Sequence, residues 1–133
     1  MNKVVVRYVD GRIVRGTTSD FVPAKDSFHV TEATAAVGDR PLEIHMRELK
    51  AVFFVKDLTG DPHHEERKEF DPAHPPVGRR LRVQFADGEV LIGTTQGYQP
   101  NRPGFFLEPA DDGSNIERCY VVAAAAQEVT LVQ

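Results

Sequence analysis

The residues best suited to molecular recognition lie in a short loop of the second half of the chain. Tyr98, Asn101 and Arg102 combine an aromatic ring, an amide and a guanidinium group with prolines that stiffen the backbone. Rigid aromatic and arginine side chains are efficient anchors in protein–protein contacts. An earlier loop carries Phe21 and Lys25 at similar places. These five residues predict partner binding. The alternative is that Tyr98 and Phe21 pack inward and that the prolines only shape the turns.

A second candidate is a basic patch in the first half of the chain, formed by Arg7, Arg12, Arg15 and Lys25. Such a patch could bind a nucleic acid or a nucleotide, including a cyclic one, through its phosphates. A solvated strand face is the competing interpretation. The net charge of −4 argues mildly against general nucleic-acid binding, because that binding draws most of its affinity from phosphate contacts. Nucleic-acid or nucleotide binding is therefore the alternative function.

Patterns for catalysis and metal binding are weak. His63, His64 and His74 share an acidic stretch, but adjacent histidines seldom converge on one ion. The one cysteine, Cys119, lies in an apolar run that is typical of a buried thiol. No nucleophile–base pair or phosphate-binding glycine loop has a supporting motif. We expect no enzyme activity, no cofactor and no metal site.

An internal repeat positions both loops. Residues 3–55 align without a gap on residues 80–132, a shift of 77 residues, and 11 of the 53 aligned pairs are identical. The matches include the paired phrases Asp10-Gly11 and Asp87-Gly88, and the glycines Gly16 and Gly93. Identities that fall on turns and glycines report backbone geometry. We interpret the chain as a duplication and call residues 3–55 copy one and residues 80–132 copy two.

The pattern within each copy is typical of antiparallel β-structure. Apolar residues alternate with polar ones in short runs, which indicates strands with one buried face. The Asp-Gly pairs predict tight hairpin turns, because such turns need positive φ. Gly16 and Gly93 predict a bulge or bend inside the second strand. About five residues, 46–50 and 123–127, separate the last two strands. That spacing predicts a short 3₁₀-like turn, even though four alanines alone favour a helix.

Residues 16–30 resemble the first motif of Sm-like barrels: a glycine, an apolar bend, an aromatic, a polar loop and an apolar strand. Src-homology barrels are similar in outline. The phrases Phe-Ala-Asp-Gly-Glu (85–89) and Gly-Tyr-x-Pro-x-Arg-Pro-Gly-Phe-Phe (97–106) also resemble an uncharacterised group of bacterial tandem-barrel proteins. The Asp-x-x-x-Asn loop and later Arg-Gly of RNA-binding Sm proteins are missing, so the resemblance implies a fold and no RNA site. Arg79, Arg80 and Arg82 are distantly similar to the arginine pair of cyclic-dinucleotide-binding PilZ domains, whose second motif is absent.

We therefore predict an all-β fold of two tandem five-stranded small β-barrels of the Sm-like type. Residues 1–56 form the first barrel, 57–79 an irregular linker and 80–133 the second barrel. The predicted function is a non-catalytic binding or scaffolding module with a protein partner, and self-association into a homo-oligomer stays open. No signal peptide or apolar run of membrane length is visible. A single cysteine suits a reducing compartment, so we expect a cytoplasmic location and no membrane partner.

Overall fold

A computed structural model describes residues 1–59, 78–110 and 114–132. These residues form an all-β structure of ten antiparallel strands. Copy one contributes β1 (Asn2–Tyr8), β2 (Ile13–Thr18), β3 (Ser27–Glu32), β4 (Leu42–His45) and β5 (Leu49–Val55). Copy two contributes β6 (Arg79–Phe85), β7 (Val90–Thr95), β8 (Gly104–Pro109), β9 (Ile116–Val122) and β10 (Ala126–Leu131).

The ten strands lie in one sheet with the order β10-β6-β7-β8-β9-β5-β1-β2-β3-β4. Within each copy the last strand therefore lies beside the first, and the second, third and fourth follow on its other side. The two copies meet where β5 pairs with β9, and we call this pairing the seam. At the seam Ala51 lies opposite Val121, and Phe53 lies opposite Cys119.

The predicted all-β fold is confirmed. The described strands form one open sheet, however, and not two closed barrels. The reason lies at the seam. β5 already has β1 and β9 as neighbours, and β9 has β8 and β5. Both edges of each strand are thereby used, so neither strand can close its own copy. The domain limits 1–56 and 80–133 stay a prediction, and most of the predicted linker lies outside the described residues.

The Asp-Gly hairpin turns are confirmed in both copies. Gly11 has φ 95° and Gly88 has φ 93°, a left-handed conformation that residues with a Cβ rarely adopt. The Gly11 N–H donates to the Tyr8 carbonyl at 3.1 Å, and the Gly88 N–H donates to the Phe85 carbonyl at 2.9 Å. The same local sequence thus gives the same turn twice.

Gly16 and Gly93 mark the point where the second strand of each copy also begins to pair with the third. Gly16 lies opposite Glu32, and Gly93 lies opposite Pro109. A Cβ at either glycine would lie 2.1 Å from a backbone carbonyl oxygen, that of Thr31 or Glu108. Glycine is needed here because the neighbouring strand approaches too closely for any side chain.

The short turn before the last strand is also confirmed. Met46–Glu48 and Ala123–Ala125 each form a single 3₁₀ turn. Four consecutive alanines do not form an α-helix, because the strands on either side leave room for only one turn. The repeat therefore predicts this element better than residue propensity does.

Two hydrophobic clusters lie on either side of the seam strands. Every residue of β5 is buried. Val52 and Phe54 belong to the first cluster, with the core of copy one, whereas Ala51, Phe53 and Val55 belong to the second, with the core of copy two. Successive side chains of a strand point to opposite faces. A strand that is buried on both faces typically has a continuous apolar sequence, and here that run covers residues 51–55, which follow the buried Lys50.

Candidate functional site: a groove between the two loops

The two predicted recognition loops meet on one side of the sheet. Residues 19–26 connect β2 to β3, and residues 96–103 connect β7 to β8. Two adjoining cavities of about 690 and 540 Å³ open between them. Five residues line both cavities: Pro23, Ala24, Arg102, Pro103 and Tyr120. We call the continuous depression the inter-loop groove.

Equivalent hydrogen bonds hold the two loops in equivalent conformations. The Lys25 N–H donates to the Val22 carbonyl at 3.0 Å, and the Arg102 N–H donates to the Gln99 carbonyl at 3.2 Å. These bonds close a turn in each loop that presents a cation at the same place. Lys25 and Arg102 are therefore matched side chains on opposite loops.

A second pair of bonds ties each loop end to the 3₁₀ turn of its own copy. The Met46 N–H donates to the Asp26 carbonyl at 2.8 Å, and the Ala123 N–H donates to the Pro103 carbonyl at 2.9 Å. The loops are thus fixed to the ends of β4 and β9, and β9 is fixed to β5 at the seam. The seam therefore sets the position of one loop relative to the other.

Aromatic rings from both copies pack beneath the groove. The ring centroid of Phe21 lies 5.0 Å from that of Phe28, 5.3 Å from that of Phe54 and 5.5 Å from that of Tyr120, all edge-on. Phe106 lies 5.2 Å from Tyr120 in the same cluster. Phe21 thus anchors its loop by packing inward. This agrees with the alternative raised for it from the sequence.

Tyr98 and Tyr120 are structural as well. Tyr98 packs against the core, with its ring centroid 4.8 Å from that of Phe105. Tyr120 is only 4% exposed, and burial raises the pKa of its hydroxyl, so the phenol stays neutral at physiological pH. Gly104 makes this packing possible, because a Cβ there would lie 2.4 Å from the Tyr120 ring.

Charged side chains surround the groove unevenly. Lys25, Arg47 and Arg102 are exposed cations on its lining, and among the described lining residues Asp26 is the one acidic residue. No ion pair joins these three cations to a carboxylate within the described residues. The Arg102 Nε–H donates to the Gln99 side-chain oxygen at 3.1 Å, which orients the guanidinium. In a chain of net charge −4, this surface is locally positive.

A third cavity, of about 210 Å³, continues the groove beyond Phe106. It shares Thr95, Gln96 and Phe106 with the first cavity and adds Thr94, Glu108 and Arg118. The Arg118 guanidinium lies 4.8 Å from the Phe106 ring centroid and 4.5 Å from that of Phe54. These are cation–π distances. Arg118 thus adds a fourth cation along the seam, with the carboxylate Glu108 lining the same cavity.

Of the basic patch predicted on copy one, Lys25 lines this groove, whereas the arginines Arg7, Arg12 and Arg15 lie elsewhere. The Arg12 Nε lies 2.8 Å from Asp10 Oδ2, and its guanidinium lies 4.2 Å from the Tyr8 ring. The Arg12 backbone N–H and then its side chain hold the pKa of Asp10 below its usual value. Arg15 lines a separate cavity of about 220 Å³ on which Arg7 and Glu89 also lie. The predicted patch is thus divided, and part of it is neutralised.

Of the predicted residues, the groove brings together Lys25, Asn101 and Arg102 on its lining. Sequence reasoning missed Phe106, Tyr120, Arg47 and Arg118.

One signal in the sequence could have identified the aromatic pair Phe106 and Tyr120. At the aligned positions copy one has His29 and Glu43, where copy two has Phe106 and Tyr120. A change from polar to aromatic residues on one strand face indicates that copy two is covered there.

The groove and the strand order together define a class: a duplicated, all-antiparallel-β protein with a cleft lined by residues of both copies. The chain belongs to a family of unknown function, DUF6982, whose model matches residues 1–133. A search of curated proteins gave no significant match, and a search of solved structures gave none either.

The described residues hold no cluster of three or more histidine, cysteine, aspartate or glutamate side chains placed to share a metal ion. The linker histidines His63, His64 and His74 lie outside the described residues. None of the helical turns in the described part of the chain has the length or hydropathy of a membrane-crossing helix.

Proposed function

We propose that the protein is a non-catalytic binding module that holds a segment of a partner protein in the inter-loop groove. One observation carries the proposal: the two proline-containing loops, predicted separately as recognition loops, line a single groove. Concave sites with apolar walls and a few orienting polar groups are the usual form of binding sites. Here Pro23, Ala24 and Pro103 supply apolar wall, and Asn101 and Arg102 supply polar groups.

The rigidity of the groove supports this function. Both loops are anchored by hydrogen bonds to the 3₁₀ turns and by aromatic rings to the cores. A preformed surface loses little conformational entropy when a partner binds. Loops fixed in this way suit the binding of a partner better than the closing motion of a lid over a substrate.

Each copy, we further propose, descends from a small β-barrel of the Sm-like type. The support is the strand order, in which the fifth strand lies beside the first, together with the glycine in the second strand and the 3₁₀ turn before the fifth. A solved relative with a closed single-copy barrel would test this ancestry. A single-copy relative with a different strand order would contradict it.

The binding proposal is tested by filling the groove. Ala24 is exposed and lines both main cavities, so Ala24→Trp should obstruct them without changing charge. Ala36, exposed in the loop between β3 and β4, gives the matched control Ala36→Trp. Wild type and Ala36→Trp should retain the same protein from a lysate of the producing cells, and Ala24→Trp should lose it. Equal retention by all three would contradict the proposal, as would recovery of nucleic acid alone.

Nucleotide or nucleic-acid binding through Arg12 and Arg15 remains the alternative function. The ion pair of Arg12 with Asp10 weighs against it, because a phosphate would have to compete with that carboxylate. This alternative requires salt-sensitive affinity that Arg15→Ala weakens. Absence of binding at low salt both to a single-stranded oligonucleotide and to a cyclic dinucleotide would eliminate it.

A further inference from the structure

The inter-loop groove also indicates what kind of segment it accepts. This inference rests on the proposed binding function and narrows it to a ligand class. Its starting point is that the two copies contribute different chemistry. Copy one provides Lys25 and Arg47, copy two provides Arg102, and the cation Arg118 lies farther along. The floor between them is apolar and comes mainly from copy two.

The three cations of the main groove lie on three different segments, the two loops and a 3₁₀ turn. Lys25 and Arg102 lie on opposite loops at matched positions, and Arg47 lies on the 3₁₀ turn of copy one. All three are exposed. Carboxylates spaced along one extended chain could meet them in turn, and charge-assisted hydrogen bonds to guanidinium groups are the strong ones. In the part of the chain that the structure describes, Asp26 is the one carboxylate on the lining of the two main cavities that would repel such a ligand.

The floor favours aliphatic side chains over stacked bases. Sequence-tolerant binding of single strands needs aromatic faces on which bases can stack. Here Tyr120 is 4% exposed, and its ring meets those of Phe21 and Phe106 at 68° and 67°. Arg118 lies over Phe106. The ring faces are thus occupied by contacts within the protein. The exposed apolar wall consists of small residues such as Ala24, Pro103 and Ala124.

We infer that the inter-loop groove accepts an extended, acidic segment of a partner protein, with carboxylates facing Lys25, Arg47 and Arg102 and aliphatic side chains on the apolar floor. The segment crosses from one copy to the other. The site is therefore incomplete in either copy alone, and the duplication is what creates it.

A selection from a phage-displayed random peptide library tests this inference. The targets are the immobilised full chain, the double variant Lys25→Glu/Arg102→Glu, and the control Arg82→Glu. Arg82 is an exposed cation of β6 that does not line the groove. Peptides selected on wild type and on the control should be enriched in aspartate and glutamate together with aliphatic residues. The double variant should lose the acidic enrichment and bind the selected peptides about tenfold or more weakly. Thermal unfolding of all three chains by circular dichroism checks that the substitutions leave the fold intact.

Two results would overturn the inference. The first is a wild-type selection without acidic enrichment, or one whose enrichment persists in the double variant. The second is a single-stranded oligonucleotide that binds more tightly than the selected peptides and is lost in the same variant. The variant Ala24→Trp shows whether only the inferred ligand class is wrong or the proposed binding function as well. If it abolishes binding of non-acidic peptides, the groove is a binding site for another class of segment. If it changes no peptide binding, the proposed function fails as well.

Discussion

Lys50 ties the two copies together through a nearly buried charge, and its removal gives the sharpest test of how the halves are joined. Its side chain is 8% exposed and reaches from β5 to the hairpin between β6 and β7. There Nζ lies 2.7 Å from Asp87 Oδ2, bonds to Glu89 Oε1, and lies 4.6 Å from the Phe85 ring centroid.

The expected loss of stability depends on how exposed the two acidic partners of Lys50 are. Hydrogen bonds to charged groups contribute about 1.5–3 kcal/mol when well shielded. The acceptor side chains of Asp87 and Glu89 are 56% and 33% exposed, so screening reduces each to about 1 kcal/mol. The double variant Asp87→Asn/Glu89→Gln leaves the ammonium without a counter-charge and should lower the free energy of unfolding by about 2 kcal/mol. The asparagine can still accept the Glu89 N–H bond that shapes the turn.

Lys50→Met should cost less than the double acidic variant. Methionine keeps an apolar stem over Phe85 and removes the need to bury a charge, so we expect a change within about 1 kcal/mol of wild type. Adding Lys50→Met to the double variant should therefore restore about 1 kcal/mol of the free energy of unfolding. Such non-additivity shows that Lys50 and the two carboxylates interact. Arg7→Met serves as a control for Glu89, because Arg7 Nη1 lies 3.9 Å from Glu89 Oε1.

Urea unfolding followed by circular dichroism measures these differences, since the chain has no tryptophan. The pH dependence gives a second measurement. The side-chain bond from Lys50 and the backbone N–H of residue 89 hold the pKa of Asp87 below its usual value. Its stabilising contribution is thus present above the unfolded pKa, about 3.9, and is lost as the pH falls through the folded value. In Lys50→Met, the free energy of unfolding should therefore fall less steeply as the pH is lowered. A Lys50→Met variant less stable than the double acidic variant would refute the reasoning.

Three further predictions concern the backbone and the seam. Gly93→Ala should lower the melting temperature more than Gly88→Ala, because its Cβ would lie 2.1 Å from a carbonyl oxygen while that of Gly88 meets nothing within 4 Å; equal losses by calorimetry would show that φ strain dominates. Phe53→Thr, which places at the seam the residue type of the aligned Thr130, should cost about 3 kcal/mol in urea unfolding, whereas Thr130→Phe at the outer edge should change stability by about 0.5 kcal/mol or less. Cys119, 1% exposed, should react with a thiol reagent only as fast as the protein opens, so labelling in native buffer at the rate of an exposed thiol would contradict its burial.

Local structure was largely predictable because it depends on short-range rules. Asp10-Gly11 and Asp87-Gly88 demand positive φ, and both turns form. The spacing between the last two strands of each copy permits one 3₁₀ turn, and Ala123–Ala125 forms it despite high helix propensity. Gly16 and Gly93 mark special backbone geometry, although its cause, a carbonyl too close for a Cβ, is visible only in three dimensions.

The groove was predictable only in part. The sequence pointed to Lys25, Asn101 and Arg102, because prolines, a ring and a cation recur in aligned loops. It did not separate outward from inward aromatics, so Phe21 and Tyr98 were named although both pack against the cores. It also grouped Arg12 with Arg15, since no pattern shows that Asp10 turns back onto Arg12.

The sequence by itself determined the β-strands, the turns and the duplication, because periodicity, glycine and Asp-Gly act over a few residues. Only the tertiary structure decided that β5 pairs with β9, which leaves the sheet open and places the two loops side by side. That pairing joins strands distant in sequence and depends on burying Phe53, Cys119 and Tyr120 on two faces at once. The groove is a consequence of this long-range contact.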